Sequence, residues 1–275
     1  MTSQSPLCLL APAQHFLHLP DVRIHYRIFG EGPPLVMLHG LASSSVDWFP
    51  VTAMLADEHQ LILIDLRGHG LSSLPRDRDY SIKSMAQDVW EVLDYLEMEQ
   101  VAMLGLSLGG CVTIQSAILH PQRLDRIVLV NTFAKLRGSG LKDAWSKMRR
   151  GVIAMQGMDK LAHYVANSLF SDPQIRAIAE ERLRHNDVKA ILRTMLALSR
   201  LNLLKDLPRI TAPTLVMIGD RDKTVPRRCA TELMAGIPRS QLVEVADAGH
   251  ALPFDQPAAF VKRVQMFLDQ KNGLR

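Results

Sequence analysis

The sequence predicts an α/β fold: a mostly parallel central sheet covered by helices on both faces, with a helical segment inserted late in the chain. Three observations carry that expectation. Short apolar runs recur through the first half, each separated from the next by a stretch of helical period. The same alternation returns near the C-terminus. Between the two, over residues 132–207, the strand signal disappears. A chain of 275 residues with 47% hydrophobic content can bury one large core, so 1–131 and 208–275 read as a single core and 132–207 as an inserted helical cap.

The elements follow in order. Residues 16–19 and 22–29 flank Pro20-Asp21 and read as an opening hairpin. Residues 35–38, 61–66, 101–106 and 126–130 are built mainly from Val, Ile, Leu and Met, the composition of strands buried on both faces. Amphipathic stretches at 48–58, 84–97 and 110–120 lie between them. Residues 215–218 and 242–245 extend the sheet, and 258–268, with Phe260, Val261, Val264 and Phe267 at helical spacing, closes one face. Within 132–207, Gly, Asn and Asp-Pro signals separate helix-like stretches. Their apolar residues, including Trp145, Ile153, Met155, Met158, Leu161, Tyr164, Phe170, Leu192, Met195 and Leu196, either face a pocket or pack the insertion onto the core.

Charge and cysteine usage exclude several classes. The net charge is +4, but no run of five basic residues and no nucleic-acid-binding motif accompanies it, so no nucleic-acid partner is expected. Residues 132–207 carry 14 Lys and Arg against 7 Asp and Glu, leaving the rest slightly acidic. That asymmetry reads either as solvated outer helix faces or as a local potential favouring an anionic or acyl-carboxylate substrate. Cys8, Cys111 and Cys229 are too few and too scattered for a disulfide framework or a metal site. They read as reduced cytosolic thiols, and no metal is expected. The apolar run 6–13 lacks the basic flank of a signal peptide and the length of a membrane span, so the expected location is cytoplasmic, with no membrane partner. Nothing in the pattern fixes an oligomeric state.

The chemistry concentrates at the end of 101–106. There an apolar strand runs into Gly105-Leu106-Ser107-Leu108-Gly109 and a helical segment follows. A serine on so tight a strand-to-helix turn needs positions with almost no side chain two before and two after it, and Gly105 and Gly109 supply them. A helix starting there also aims free backbone N–H groups, such as that of Leu108, at a developing oxyanion. A serine hydroxyl needs a base, and that base needs an acid to fix its tautomer. Downstream, the strand 215–218 runs into a loop carrying Asp220 and Asp222, and 242–245 runs into a loop carrying His250. The residues themselves leave both aspartates open.

Two further motifs complete a resemblance. His39-Gly40 follows the strand at 34–38, and Asp65-Leu66-Arg67-Gly68-His69-Gly70-Leu71-Ser72 follows the next. With the serine turn and the order Ser, Asp, His, the chain resembles the α/β-hydrolase superfamily over nearly its whole length. The resemblance implies Ser107 as nucleophile and His250 as base. It selects Asp222 as the acid through the spacing Gly219, Asp222, Pro226, and leaves Asp220 as a loop-capping carboxylate. It also implies an oxyanion hole from the backbone N–H groups of Leu41 and Leu108, with His39 supporting the first. His39, Gly40, Trp48, Leu106, Trp145 and Ala251 are the expected pocket residues. Members of the family that place the acid one strand earlier do not match, because here that position is Asn131, an amide.

Within the superfamily the chain is similar to small esterases, enol-lactonases and cofactor-free perhydrolases. Ser107 argues against the branches with a carboxylate nucleophile, and Leu106 differs from the asparagine common in carbon-carbon bond hydrolases. His39-Gly40-Leu41 fits esterases better than the Asn-Ser-Leu form associated with many 3-oxoadipate enol-lactonases. The expectation is a carboxylesterase acting through an acyl-enzyme on small to medium apolar esters, without a cofactor. A 3-oxoadipate enol-lactonase-like lactone hydrolase is the alternative. A ligand receptor or a cofactor-free oxygenase is the alternative of another class.

Overall fold

The computed structural model describes residues 13–136, 153, 156–170 and 172–270. An eight-stranded sheet forms its centre, in the spatial order β1-β2-β4-β3-β5-β6-β7-β8. The hairpin β1 (Gln14–His18) and β2 (Arg23–Phe29) is antiparallel, and its turn is closed by Leu19 N–H to the Val22 carbonyl at 2.9 Å. β2 joins β4 (Gln60–Ile64) antiparallel. From there β3 (Pro34–Leu38), β5 (Val101–Leu106), β6 (Leu124–Val130), β7 (Thr214–Gly219) and β8 (Ser240–Val245) run parallel.

The unbroken apolar runs follow from burial on both faces. Successive side chains of a strand point to opposite faces. Accordingly Val36, Leu38, Ile62, Ile64, Met103, Ile127, Leu129, Val216 and Ile218 enter one core, and Leu35, Met37, Leu61, Leu63, Leu104, Val128, Val130, Leu215 and Met217 enter the other. Helices α2 (Ile82–Tyr95), α3 (Leu108–Leu119) and α7 (Arg227–Gly236) cover the first face. α1 (Phe49–Ala56) and α9 (Pro257–Leu268) cover the second, through Val51 and Leu55 on one and Phe260, Val264 and Phe267 on the other. The doubly covered, mostly parallel sheet is the architecture expected from the sequence.

Between β6 and β7 the described residues contain helices α4 (Met158–Leu169), α5 (Pro173–Arg184) and α6 (Val188–Arg200), and no strand. Asp172 and Asp187 cap the last two, the first accepting two backbone N–H bonds from the first turn and the second one. Leu161, Ala162, Ala166, Leu183 and Ile191 form a third apolar cluster with Ala42, from the loop after β3. Ile153, Met158, Leu192 and Met195 pack against that cluster, whereas Leu196 is exposed. Two polar links add to this seam, Asn186 Nδ2 to the Ala42 carbonyl at 2.9 Å and Arg182 to Asp47 at 3.1 Å. Met155 and Trp145 lie outside the described residues. No helix among the described residues is long and apolar enough to cross a membrane.

The topology decides where chemistry can gather. In an open parallel sheet the loops leaving the carboxyl ends of the strands share one edge. Here those loops carry 39–48 after β3, Ser107 after β5, Asn131 after β6, 219–226 after β7 and 246–251 after β8.

Candidate active site

Ser107 stands between the last residue of β5 and the first residue of α3, at φ 53 and ψ −110, a region a side chain seldom adopts. Its surroundings hold it there. Ser107 N–H donates to the Val130 carbonyl at 2.9 Å, and its own carbonyl accepts from Cys111 N–H at 3.1 Å and from Thr132 Oγ1 at 2.6 Å. The flanking glycines are needed for close approach. A Cβ at Gly105 would come within 2.3 Å of the Gly109 carbonyl oxygen, and one at Gly109 within 2.0 Å of that of Leu38. Strand end and helix start therefore touch backbone to backbone.

Leu108 is the first residue of α3, so its N–H has no partner within the helix and lies at the positive end of the helix dipole. The loop after β3 closes on the same point. A Cβ at Gly40 would stand 3.8 Å from that of Ser107, and half-buried Leu41 follows it. His39 pins this loop from beneath. Leu66 N–H donates to its Nε2 at 3.0 Å, so the ring proton is on Nδ1 and is donated to the Gly40 carbonyl at 2.7 Å. Asp65 ties the rest of the loop to β4, accepting from Ser45 N–H at 2.5 Å, Leu71 N–H at 2.9 Å and His25 Nδ1 at 2.7 Å.

The loops after β7 and β8 bring a carboxylate to a histidine. Asp222 Oδ2 lies 2.9 Å from His250 Nδ1, with the side chains 4% and 11% exposed. Its other oxygen accepts from Thr224 N–H at 2.7 Å and Val225 N–H at 3.2 Å, so the carboxylate is fixed on both sides. Asp220, two residues earlier, has a different partner: it accepts from Ala248 N–H at 3.1 Å. Asp255 accepts from Gly249 N–H at 2.7 Å. Among the described residues no hydrogen bond joins the Ser107 hydroxyl to the His250 ring, which is common in sites without substrate, where such bonds tighten on binding. The arrangement places a strained hydroxyl at a helix N-terminus on the sheet edge that also carries an imidazole oriented by a buried carboxylate.

Several expected pocket residues sit elsewhere. Trp48 is 2% exposed and stacks on Phe260 in the core beneath the sheet, because it opens a helix that packs inward. His39 is buried and spends both ring nitrogens on protein partners, so it is a support for the loop and not a pocket wall. Leu106 is half-buried and packs against the same core as Trp48. Ala251 is buried ahead of the short helix α8 (Leu252–Asp255). Trp145 lies outside the described residues. A residue missed in the sequence is Asn131, 1% exposed, whose amide reaches the loops of both Asp222 and His250. An Asn after a strand carries no local signal of such a contact. Among the described residues no group of three His, Cys, Asp or Glu side chains is placed to hold a metal ion.

The histidines beneath the loop make the fold acid-sensitive. Burial lowers the His39 pKa, and burial together with the neighbouring His39 pushes His69 from 6.5 down to about 3. Burial alone would raise Asp65, but the hydrogen bond from His25 and the surrounding donors hold it at about 2. As pH falls below 6.5 the unfolded chain takes up protons that the folded histidines refuse, so stability drops toward pH 3. The Asp65 contribution is complete above 3.8 and is lost in the same direction, toward about 2. Urea unfolding at a series of pH values is expected to lose a few kcal/mol, order of magnitude, between pH 6.5 and 4. An unchanged unfolding midpoint over that interval would contradict the buried neutral state of these rings.

Comparison with known proteins agrees with this fold. A family model described as the alpha/beta hydrolase fold matches residues 33–257. The chain is 30% identical over 272 residues to 3-oxoadipate enol-lactonase 2 of Acinetobacter baylyi, covering 95% of this chain and 100% of that relative. The crystal structure of the enol-lactonase from Burkholderia xenovorans LB400 superimposes with a TM-score of 0.84 at 29% identity, covering 93% of this chain and 100% of that one. The esterase RhEst1 from a Rhodococcus species does so with a TM-score of 0.82 at 26% identity, covering 95% and 99%.

Proposed function

The chain belongs to the α/β-hydrolase fold family, whose similar members support a hydrolase, and from that premise we propose that it is a serine hydrolase cleaving carboxylic esters through an acyl-enzyme. The observation that carries the reading is Ser107 at the start of α3 on the sheet edge that also bears the Asp222–His250 pair. In the proposed reaction Ser107 Oγ attacks the ester carbonyl while His250 Nε2 takes its proton, and Asp222 holds the proton on Nδ1. The N–H groups of Leu41 and Leu108 receive the oxyanion. Collapse breaks the bond to the leaving alkoxide, which His250 protonates. Water then attacks the acyl-enzyme, giving its proton to His250, and the acid departs as Ser107 recovers its proton. These steps use only the chain's own groups and water.

Residues 132–207 serve in this reading as the cap over the acyl site, with its apolar seam on Ala42 setting how the cap sits. Gly40, where a Cβ would stand 3.8 Å from that of Ser107, borders the acyl carbon on the core side. A second reading, hydrolysis of an enol-lactone, is favoured by the full-length similarity to the Acinetobacter enol-lactonase. The chemistry is the same with a tethered leaving group.

Initial rates on p-nitrophenyl esters from acetate to decanoate, measured beside five-membered enol-lactones, separate the two. Multiple turnover across several esters is the expected result. Turnover confined to lactones would replace the first reading by the second, and no turnover of either class would remove both.

A further inference from the structure

We propose that Asn131 is a positioning residue that sets the Asp222–His250 pair, an inference that rests on the serine-hydrolase reading above. The side chain reaches three backbone groups in two loops. Its Nδ2 donates to the Gly249 carbonyl at 3.0 Å and the His250 carbonyl at 2.9 Å, and its Oδ1 accepts from Gly219 N–H at 3.0 Å. Gly219 ends the strand that leads into Asp222. One amide thus spans the roots of the acid loop and the histidine loop. The partners also assign the amide, since only nitrogen can face two carbonyls and only oxygen can face an N–H.

The choice of residue follows from the demands of the position. A side chain here must supply two donors and one acceptor over a short reach, which Asn does and Asp, Ser or Ala does not. The backbone stands at φ 44, a region asparagine tolerates better than most residues. Asn131 N–H donates to the Met217 carbonyl at 2.9 Å, which fixes the amide's own base on β7. At 1% exposure the three bonds are shielded from competing water.

The acid loop and the histidine loop also meet directly, Arg221 N–H donating to the Ala248 carbonyl at 2.9 Å. Asp255 and Asp220 hold the N–H groups of Gly249 and Ala248. Asn131 takes the carbonyls on the other side, and it alone of the three is continuous with the serine's own supports. Val130, before it, accepts from Ser107 N–H, and Thr132, after it, donates to the Ser107 carbonyl. Residues 130–132 therefore refer the nucleophile, the base and the acid to one turn.

The test compares wild type, Asn131→Ala and Asn131→Asp; the aspartate keeps the volume and the acceptor toward Gly219 but turns oxygen toward two carbonyls. Each is first checked for cooperative thermal unfolding. The first readout is the downfield proton NMR signal of His250 Nδ1–H, assigned by its loss in Asp222→Asn, and the second is kcat and KM for p-nitrophenyl butyrate. We expect the signal in wild type and its loss in both folded variants. kcat should fall about 10²-fold, the scale of an ångström-level misplacement, with KM changed by less than about threefold. A folded variant of either kind that keeps the signal and keeps kcat within about twofold of wild type overturns the proposal. So does a wild type without the signal, since no ordered pair then exists for Asn131 to set. Should wild type turn over no ester, the ester reading falls while the NMR comparison still decides the role of Asn131. If the alanine variant does not fold, the aspartate variant carries the test, and loss of folding in both overturns a role confined to positioning.

Discussion

Ser107→Ala is expected to lower kcat for p-nitrophenyl esters by about 10⁴-fold or more, with little change in the unfolding temperature. The hydroxyl is the atom that forms the acyl bond in the proposed reaction, and alanine offers none. The fold should tolerate the change, because the bonds that hold this turn are made by backbone: Ser107 N–H to Val130 and the Ser107 carbonyl from Cys111 and Thr132. Alanine meets the same positive φ as serine and adds no bulk. Because nucleophile and base act as a unit, Ser107→Ala combined with His250→Ala should be no slower than either alone. Loss of less than about tenfold in the single variant would show that hydrolysis proceeds without this serine.

Asp222→Asn is expected to cost about 10³- to 10⁴-fold in kcat, and Asp220→Asn only a few-fold. The contrast comes from hydrogen-bond directions. Asp222 Oδ1 accepts from the Thr224 and Val225 N–H groups, so an asparagine here keeps its oxygen on them and turns its NH₂ toward His250 Nδ1. Facing a donor, Nδ1 must give up its proton, and the neutral ring then carries it on Nε2, where it can no longer accept one from Ser107. Asp220 instead accepts from Ala248 N–H at the exposed edge of the loop. Amidation there leaves an acceptor in place and costs about 1 kcal/mol or less. Steady-state kinetics of the two variants, side by side, check the assignment. Equal losses in both would mean that the loop as a whole, and not one carboxylate, matters.

The buried histidines bear on how such experiments are read. His39 and His69 are neutral supports under the Gly40–Leu41 loop, so acid weakens that loop's foundation as well as any catalytic base. An acid-side fall in rate therefore needs a parallel unfolding curve before it is read as a loss of catalysis.

The strands and the order Ser, Asp, His were legible in the sequence because their signals are local. β5 begins and ends where the apolar run 101–106 does, and β3 and β7 extend theirs by only a residue or so at either end. Strand identity depends on side chains within a few positions of one another, and the elbow on two glycines that backbone contact would otherwise forbid. The inward direction of Trp48 is not legible in the sequence, because a large aromatic near a glycine-rich loop has no local mark of where it points. The place of His39 beneath the loop is set by its two partners, Gly40 and Leu66, which lie on different loops.

What the sequence determined by itself was therefore the sheet, its double cover of helices and the residue types able to carry the chemistry. What only the tertiary structure decided was which of those residues meet. Asp222 and not Asp220 faces His250, and Asn131 bridges two loops that lie 88 and 118 residues further along the chain. The physical reason is one of range: periodicity and turn chemistry act between neighbours in sequence, whereas these contacts exist only after β6, β7 and β8 lie side by side with their carboxyl ends on one edge.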